Sequence, residues 1–233
     1  MTHFTYLLIN FFTILICFIY SFHPKIKFYQ HFKSFLLASI CVATFFIAWD
    51  IYFTQIGIWW FNDHYTLGLE IINLPVEECL FFICIPFSCV FTYYCLTRFF
   101  NFSNLSAFNN ILVFLTVIIS SSIALLYADK TYTMVTAWVT VISMIYLHFI
   151  DKQNWISEAS LIYLILMPGF LAVNGVLTGI GIDSPIVNYN REQFLNIRIW
   201  SIPIEDAVYG YVMILWNIYF FKKFSKLFSP KVR

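Results

Sequence analysis

Charge is what this chain has least of. Only 11% of its 233 residues are Asp, Glu, Lys or Arg, against about 25% in a soluble domain. A water-facing surface cannot be covered with so little. Net charge is +1, so nucleic acid is excluded as a partner. The six Cys form no Cys-x-x-Cys pair and lie in or at the ends of apolar runs. They read as small packing residues, not as disulfides or metal ligands. No Gly-x-Gly-x-x-Gly is present, so no flavin or nicotinamide fold is indicated. There is no Asp-rich cluster of the kind that holds magnesium diphosphates. A retinal protein needs a Lys inside its last span, and the last apolar run has none before Lys222. A haem-bearing bundle needs paired His at membrane depth, and only His148 lies inside an apolar run. The N-terminus has neither a basic start nor a small-residue cleavage site, so the first run is expected to be a retained span.

What the chain has is apolar residues, 61% of the total, with 28 Phe among them. A membrane span needs about 20 mostly apolar residues. Seven runs qualify, at about Phe4–Phe22, Phe32–Phe53, Leu74–Leu96, Phe108–Tyr127, Thr131–Ile150, Trp155–Asn174 and Ile202–Phe221. The expected class is an all-α membrane protein with about seven transmembrane helices. Loops are expected over Thr54–Asn73 and Gly175–Ser201, and a kink at Pro168-Gly169.

One short pattern occurs twice. Leu74-Pro75-Val76-Glu77-Glu78 opens the third run, and Ile202-Pro203-Ile204-Glu205-Asp206 opens the seventh, 128 positions later. Runs three and seven are four crossings apart, so both acid pairs enter from one side. That predicts two parallel three-helix repeats, residues 1–100 and 129–233, joined by a linker span over 101–128. Sites in such proteins commonly lie where repeats meet. Ten of the thirteen Lys and Arg, Lys231 and Arg233 among them, fall on the side opposite the N-terminus. By the positive-inside rule the N-terminus is then outside and the C-terminus cytoplasmic.

Pro at the first helical position followed by acids in the first turn is ordinary helix-start chemistry. For one copy that explanation suffices. Two adjacent acids, repeated, ask for more. Neighbours on a helix stand about 100° apart, so both cannot face solvent at one capped end. Acids inside an apolar bundle are rare and mark function. An adjacent pair in such a setting can keep a proton that a solvated pair would lose, as general-acid catalysis requires. Tyr209 lies four residues after Glu205, and Phe81 and Phe82 take matching places after Glu77. Asp50 and Asn174 precede the two motifs as loose counterparts of each other. Trp49, Trp59, Trp60 and Trp200 cluster near the same boundary. Most of them suit an interfacial belt, yet a dry aromatic face also stabilises a cation by about 0.5–2 kcal/mol. A proton-coupled transporter is the other use of paired acids in a repeat.

With both motifs in view, the chain resembles the integral-membrane lycopene cyclases of the heterodimer type, with both small subunits fused in one chain. Pro75-Val76-Glu77-Glu78 and Pro203-Ile204-Glu205-Asp206 match that family's paired motifs. Asn73-Leu74 before the first and Tyr209-Gly210 after the second are similar too, and the likeness covers essentially the whole chain. The resemblance implies a lycopene β-cyclase of carotenoid biosynthesis, an isomerase needing no cofactor and no metal. Glu77, Glu78, Glu205 and Asp206 would be its acid–base set, with the roles of donor and acceptor left open. Asp50, Asn174, Tyr209, Phe81, Phe82, Trp49 and Trp200 would bind or orient the substrate. Lycopene, the bilayer of the cell membrane and other enzymes of the pathway are the implied partners.

Overall fold

The computed structural model describes residues 2–228. Lys231 and Arg233 therefore lie outside the described residues. Seven helices are present among them: α1 (Thr5–Tyr20), α2 (Phe32–Gln55), α3 (Val76–Phe99), α4 (Asn109–Leu126), α5 (Thr131–Ile145), α6 (Ile156–Leu177) and α7 (Ile204–Phe228). Each falls within one of the apolar runs or extends it by a few residues. A π-turn, Tyr146–Ile150, prolongs α5. Helices are what an apolar chain must form, because every backbone polar group has to be satisfied within the segment. The hydroxyls along the runs obey the same constraint. Thr13, Thr44, Thr92, Ser122 and Thr140 each donate to the carbonyl four residues earlier at 2.8 Å. α6 runs continuously through Pro168, and α3 through Pro86.

Five of the helices, α2 to α6 with their flanking turns, are long and apolar enough to cross a membrane. The other two differ for separate reasons. α1 is apolar but has 16 residues. α7 has 25 residues but opens on Glu205 and Asp206 and closes among lysines. Large apolar side chains are exposed along α1, at Phe11, Phe12, Ile16 and Ile19, and along α4, at Ile111, Phe114, Leu115 and Ile118. Such faces are at home in lipid. All six cysteines are free.

The chain divides into two compact units. One comprises Met1–Gln55, Phe61–Phe100 and Met213–Arg233; the other comprises Ile56–Trp60 and Asn101–Val212. In the first, α3 packs against α1 and α2. Phe28 is fully buried there, with its ring 5.4 Å from Phe91, 5.7 Å from Phe221 and 5.8 Å from Phe87. In the second, α4 packs against α5 and α6. The Ser157 backbone N–H donates to Asn109 Oδ1 at 2.7 Å, so a side chain of α4 closes the first turn of α6. A Cβ on Gly210 would stand 3.0 Å from the Tyr163 hydroxyl and 3.3 Å from the Phe170 ring. Glycine is what lets α6 and α7 approach there.

The internal repeat is a repeat of backbone. α1 and α5 start at Thr5 and Thr131, α2 and α6 at Phe32 and Ile156, α3 and α7 at Val76 and Ile204. The two expected loops are built structures. Ahead of α3, strands Glu70–Ile71 and Leu74–Pro75 pair antiparallel, with Ile71 opposite Leu74. Ahead of α7, strands Arg198–Ile199 and Ile202–Pro203 pair in the same register, with Ile199 opposite Ile202. Pro75 and Pro203 are thus strand residues, not first helical positions. A two-residue strand tolerates proline because its missing N–H is not called on. Left-handed backbone recurs in step, at Gly68 (φ 72°) and Asn196 (φ 60°), then at Ile72 (φ 65°) and Trp200 (φ 59°).

Left-handed backbone costs an L-residue roughly 1–2 kcal/mol, and a β-branched one is least suited to it. Ile72 is 78% exposed, so it has little packing to lose. Ile72→Gly is expected to raise the thermal unfolding midpoint in detergent. A lowered midpoint would show that the turn depends on the isoleucine side chain.

Candidate active site

Each unit holds one acid pair, and the two are built alike. In the first, Glu77 is 0% and Glu78 7% exposed. The α3 N-cap is Pro75, which makes no side-chain capping bond. The free end of α3 is closed instead by backbone, with Val76 N–H donating to Leu69 O at 2.9 Å. Glu77 turns back over the chain that leads into the hairpin, and its Oε1 accepts the Leu67 backbone N–H at 2.7 Å. Its carbonyl accepts the Asn10 amide at 2.8 Å. Glu78 Oε2 accepts the hydroxyl of Tyr6, itself fully buried, at 2.5 Å.

In the second unit Glu205 is 4% and Asp206 6% exposed. Ile204 N–H closes the helix end by donating to Ile197 O at 3.0 Å. Glu205 Oε1 accepts the Leu195 backbone N–H at 2.9 Å and the Thr133 hydroxyl at 2.6 Å. Asp206 Oδ1 accepts Tyr132 at 2.6 Å, and Oδ2 accepts Tyr189 at 2.7 Å. Among the described residues Glu77 Oε2 and Glu205 Oε2 are buried without a hydrogen-bond partner. Unpaired buried polar atoms cost roughly 1–3 kcal/mol each, so finding the same one in both halves asks for a functional explanation.

The aromatic candidates fall around these pairs. Phe81 and Phe82 are buried; Phe81 meets Tyr6 at 6.5 Å, and Phe82 meets Phe46 at 6.1 Å. Trp49 is buried and stacks on Phe46 at 5.8 Å. Tyr209 joins Trp59 at 6.4 Å and Tyr132 at 6.5 Å. Trp59 is 5% exposed, a wall residue more than a belt residue. Trp200 stands at its hairpin turn, 70% exposed. Asp50 and Asn174 occupy the same place in α2 and α6, each eighteen residues past its helix start, and both are buried. The Asn174 amide donates to Phe170 O of its own helix at 3.1 Å.

Tyr6, Asn10, Tyr132, Thr133 and Tyr189, with the Leu67 and Leu195 amides, complete the two sites and were not singled out from sequence. A signal existed. Thr5-Tyr6 and Thr131-Tyr132 are the same dipeptide at the start of α1 and of α5. Among the described residues no three His, Cys, Asp or Glu side chains converge as a metal set.

A family model described as lycopene cyclase matches residues 3–96 and 129–224. The chain belongs to the lycopene cyclase family. Membership makes it an enzyme acting on a carotenoid. The match comes in two segments, each holding one acid motif, and passes over α4. No curated protein matches the chain, and no solved structure does.

Lycopene cyclases handle a polyene without polar groups, so the polar contacts in these sites serve the acids rather than grip the substrate. Thr133→Val keeps the shape of the side chain and removes one donor from Glu205. Turnover of lycopene in liposomes is expected to fall about ten-fold, roughly 1–1.5 kcal/mol, while Thr133→Ser retains most of it. Equal turnover in Thr133→Val and wild type would remove this contact from the site.

Proposed function

We propose that the protein is a lycopene β-cyclase that closes the acyclic ends of lycopene by acid catalysis. The observation that supports this most is the repeated pair of buried acids, in which the first acid of each pair, Glu77 or Glu205, carries one unpaired oxygen. Protonation of the terminal C=C bond of an acyclic end gives a tertiary carbocation. The neighbouring double bond attacks it and a six-membered ring closes. Loss of a ring proton restores neutrality and yields the β-ionone ring, as γ-carotene after one end and β-carotene after two. One proton enters and one leaves, so the reaction is an isomerisation, an intramolecular lyase step without a redox partner. Water would trap the cation as an alcohol, which makes its exclusion part of the work.

In this reading Glu77, Glu78, Glu205 and Asp206 are the catalytic acids and bases. Phe81, Phe82, Trp49 and Tyr209 line the path of the cation, and Asp50 and Asn174 orient or relay. Trp200, exposed at its turn, belongs with the interfacial residues. The repeats over residues 1–100 and 129–233, linked through 101–128, are the two fused subunits. The chain lies in the cell membrane, N-terminus outside and C-terminus cytoplasmic. Lycopene reaches it through the bilayer, and earlier enzymes of the pathway supply it. A proton-coupled transporter has no observation in its favour, since α2, α3, α6 and α7 run unbroken where a transporter would unwind.

Expression in a bacterium that accumulates lycopene tests the reading. New pigments with the retention and spectra of γ- and β-carotene are expected, and Glu77→Gln and Glu205→Gln are expected to lose them at equal protein level. Unchanged lycopene beside well-inserted wild-type protein would sink the proposal. Reporters fused to the C-terminus are expected to be active only when they function in the cytoplasm; periplasmic activity would reverse the orientation.

A further inference from the structure

The two acids of each motif are held differently, and the difference recurs in both halves. Asp206 has both carboxylate oxygens occupied as acceptors, Oδ1 by Tyr132 and Oδ2 by Tyr189. That is the arrangement of a group that receives protons. Glu205 has both of its donors, Leu195 N–H and Thr133, on a single oxygen. Its Oε2 is buried and meets none. With the protein's donors gathered on Oε1, Oε2 is the oxygen of each first acid that no protein group engages. In the first half the pattern returns with other neighbours. Leu67 N–H takes Glu77 Oε1, Oε2 is unpartnered, and Tyr6 donates to Glu78.

The distinction does not come from copied side chains. The start of α1 carries Leu7 where the start of α5 carries Thr133, one place after the matching tyrosines. The backbone clamp and the tyrosine are the parts that both halves share. The unpartnered Oε2 recurs at Glu77 and at Glu205, so in both halves it is the first acid that has an oxygen not engaged by the protein.

We propose that the first acid of each motif, Glu77 and Glu205, gives the proton from Oε2, and that the second, Glu78 and Asp206, takes the ring proton. Tyr6 and Tyr132 are positioning residues that hold the second acid as an acceptor. This division rests on the cyclase reading. The Oε2–H bond breaks as the new C–H bond forms at the terminal alkene carbon, and the first acid is left as a carboxylate held by the Leu67 or Leu195 amide. After the ring closes, a ring C–H bond breaks toward the second acid, its electrons forming the ring double bond. Before the next turnover the second acid gives its proton to solvent and the first takes one from solvent, so the protein ends as it began.

Turnover in D2O, with lycopene in liposomes, separates the two roles. Wild type is expected to place one deuterium in each ring it closes. The double variant Glu78→Gln with Asp206→Asn keeps the donor and loses the acceptor. It is expected to close few rings, while the lycopene recovered from it carries deuterium at its ends, because the cation forms and reverts. The double variant Glu77→Gln with Glu205→Gln is expected to return unlabelled lycopene. Deuterium in lycopene from that second variant, or none in lycopene from the first, overturns the assignment. Tyr6→Phe with Tyr132→Phe is expected to lower kcat about ten-fold at unchanged KM and protein level, with deuterium still entering recovered lycopene. A raised KM or lost protein at unchanged kcat would make the tyrosines structural only. A wild type that closes no ring overturns both this assignment and the cyclase reading.

Discussion

A buried carboxyl oxygen accepting a backbone N–H ten residues upstream is the contact on which both halves depend. Glu77 reaches Leu67 and Glu205 reaches Leu195. Each contact folds a chain segment back over the start of a long helix, and the rest of the segment follows. A left-handed residue turns the chain just after the clamped amide, at Gly68 or Asn196. The next carbonyl closes the helix end, from Leu69 or Ile197. A two-residue hairpin then delivers proline and the first helical residue. The acids in the first turn of each helix are thereby kept out of water.

The halves share this frame but not its furnishing. Around the first pair, Tyr6 and the Asn10 amide are the donors from α1. Around the second, Tyr132 and Thr133 come from α5, and Tyr189 comes from the segment before the hairpin. Counting back 128 positions from Tyr189 reaches Phe61, which has no hydroxyl to give. Hydrogen bonds from hydroxyls stabilise the charged form of a carboxylate. At Asp206 two tyrosine hydroxyls supply such bonds. Each half thus carries its own pair of acids on the same backbone frame.

Much of the architecture was legible because it follows from hydropathy. Runs of about 20 apolar residues have one solution in lipid, and all seven are helical. The acid pairs were legible because carboxylates at the mouth of an apolar helix demand a reason. Proline misled in a specific way. Its preference for a first helical turn is a local rule, whereas here Pro75 and Pro203 obey a hairpin that needs residues on both sides. The hairpins were illegible because two-residue strands leave no periodicity to read. Tyr6 and Tyr132 were hidden for another reason. A tyrosine early in an apolar span looks like interfacial belt, and only the repeated Thr-Tyr pair at 5–6 and 131–132 marks it otherwise. Asp50 and Asn174 were recognisable as counterparts, and their equal distance from the starts of α2 and α6 gives the physical reason.

The measurement closest to the centre of this account is hydrogen exchange at the Leu67 and Leu195 amides, resolved residue by residue in lipid nanodiscs. If buried glutamates clamp both segments, the two amides exchange as slowly as amides in the middle of α3 and α7. Glu77→Leu then frees the Leu67 amide, and Glu205→Leu frees that of Leu195. Fast exchange at both amides in the wild type would contradict the clamp, and with it the site built on it.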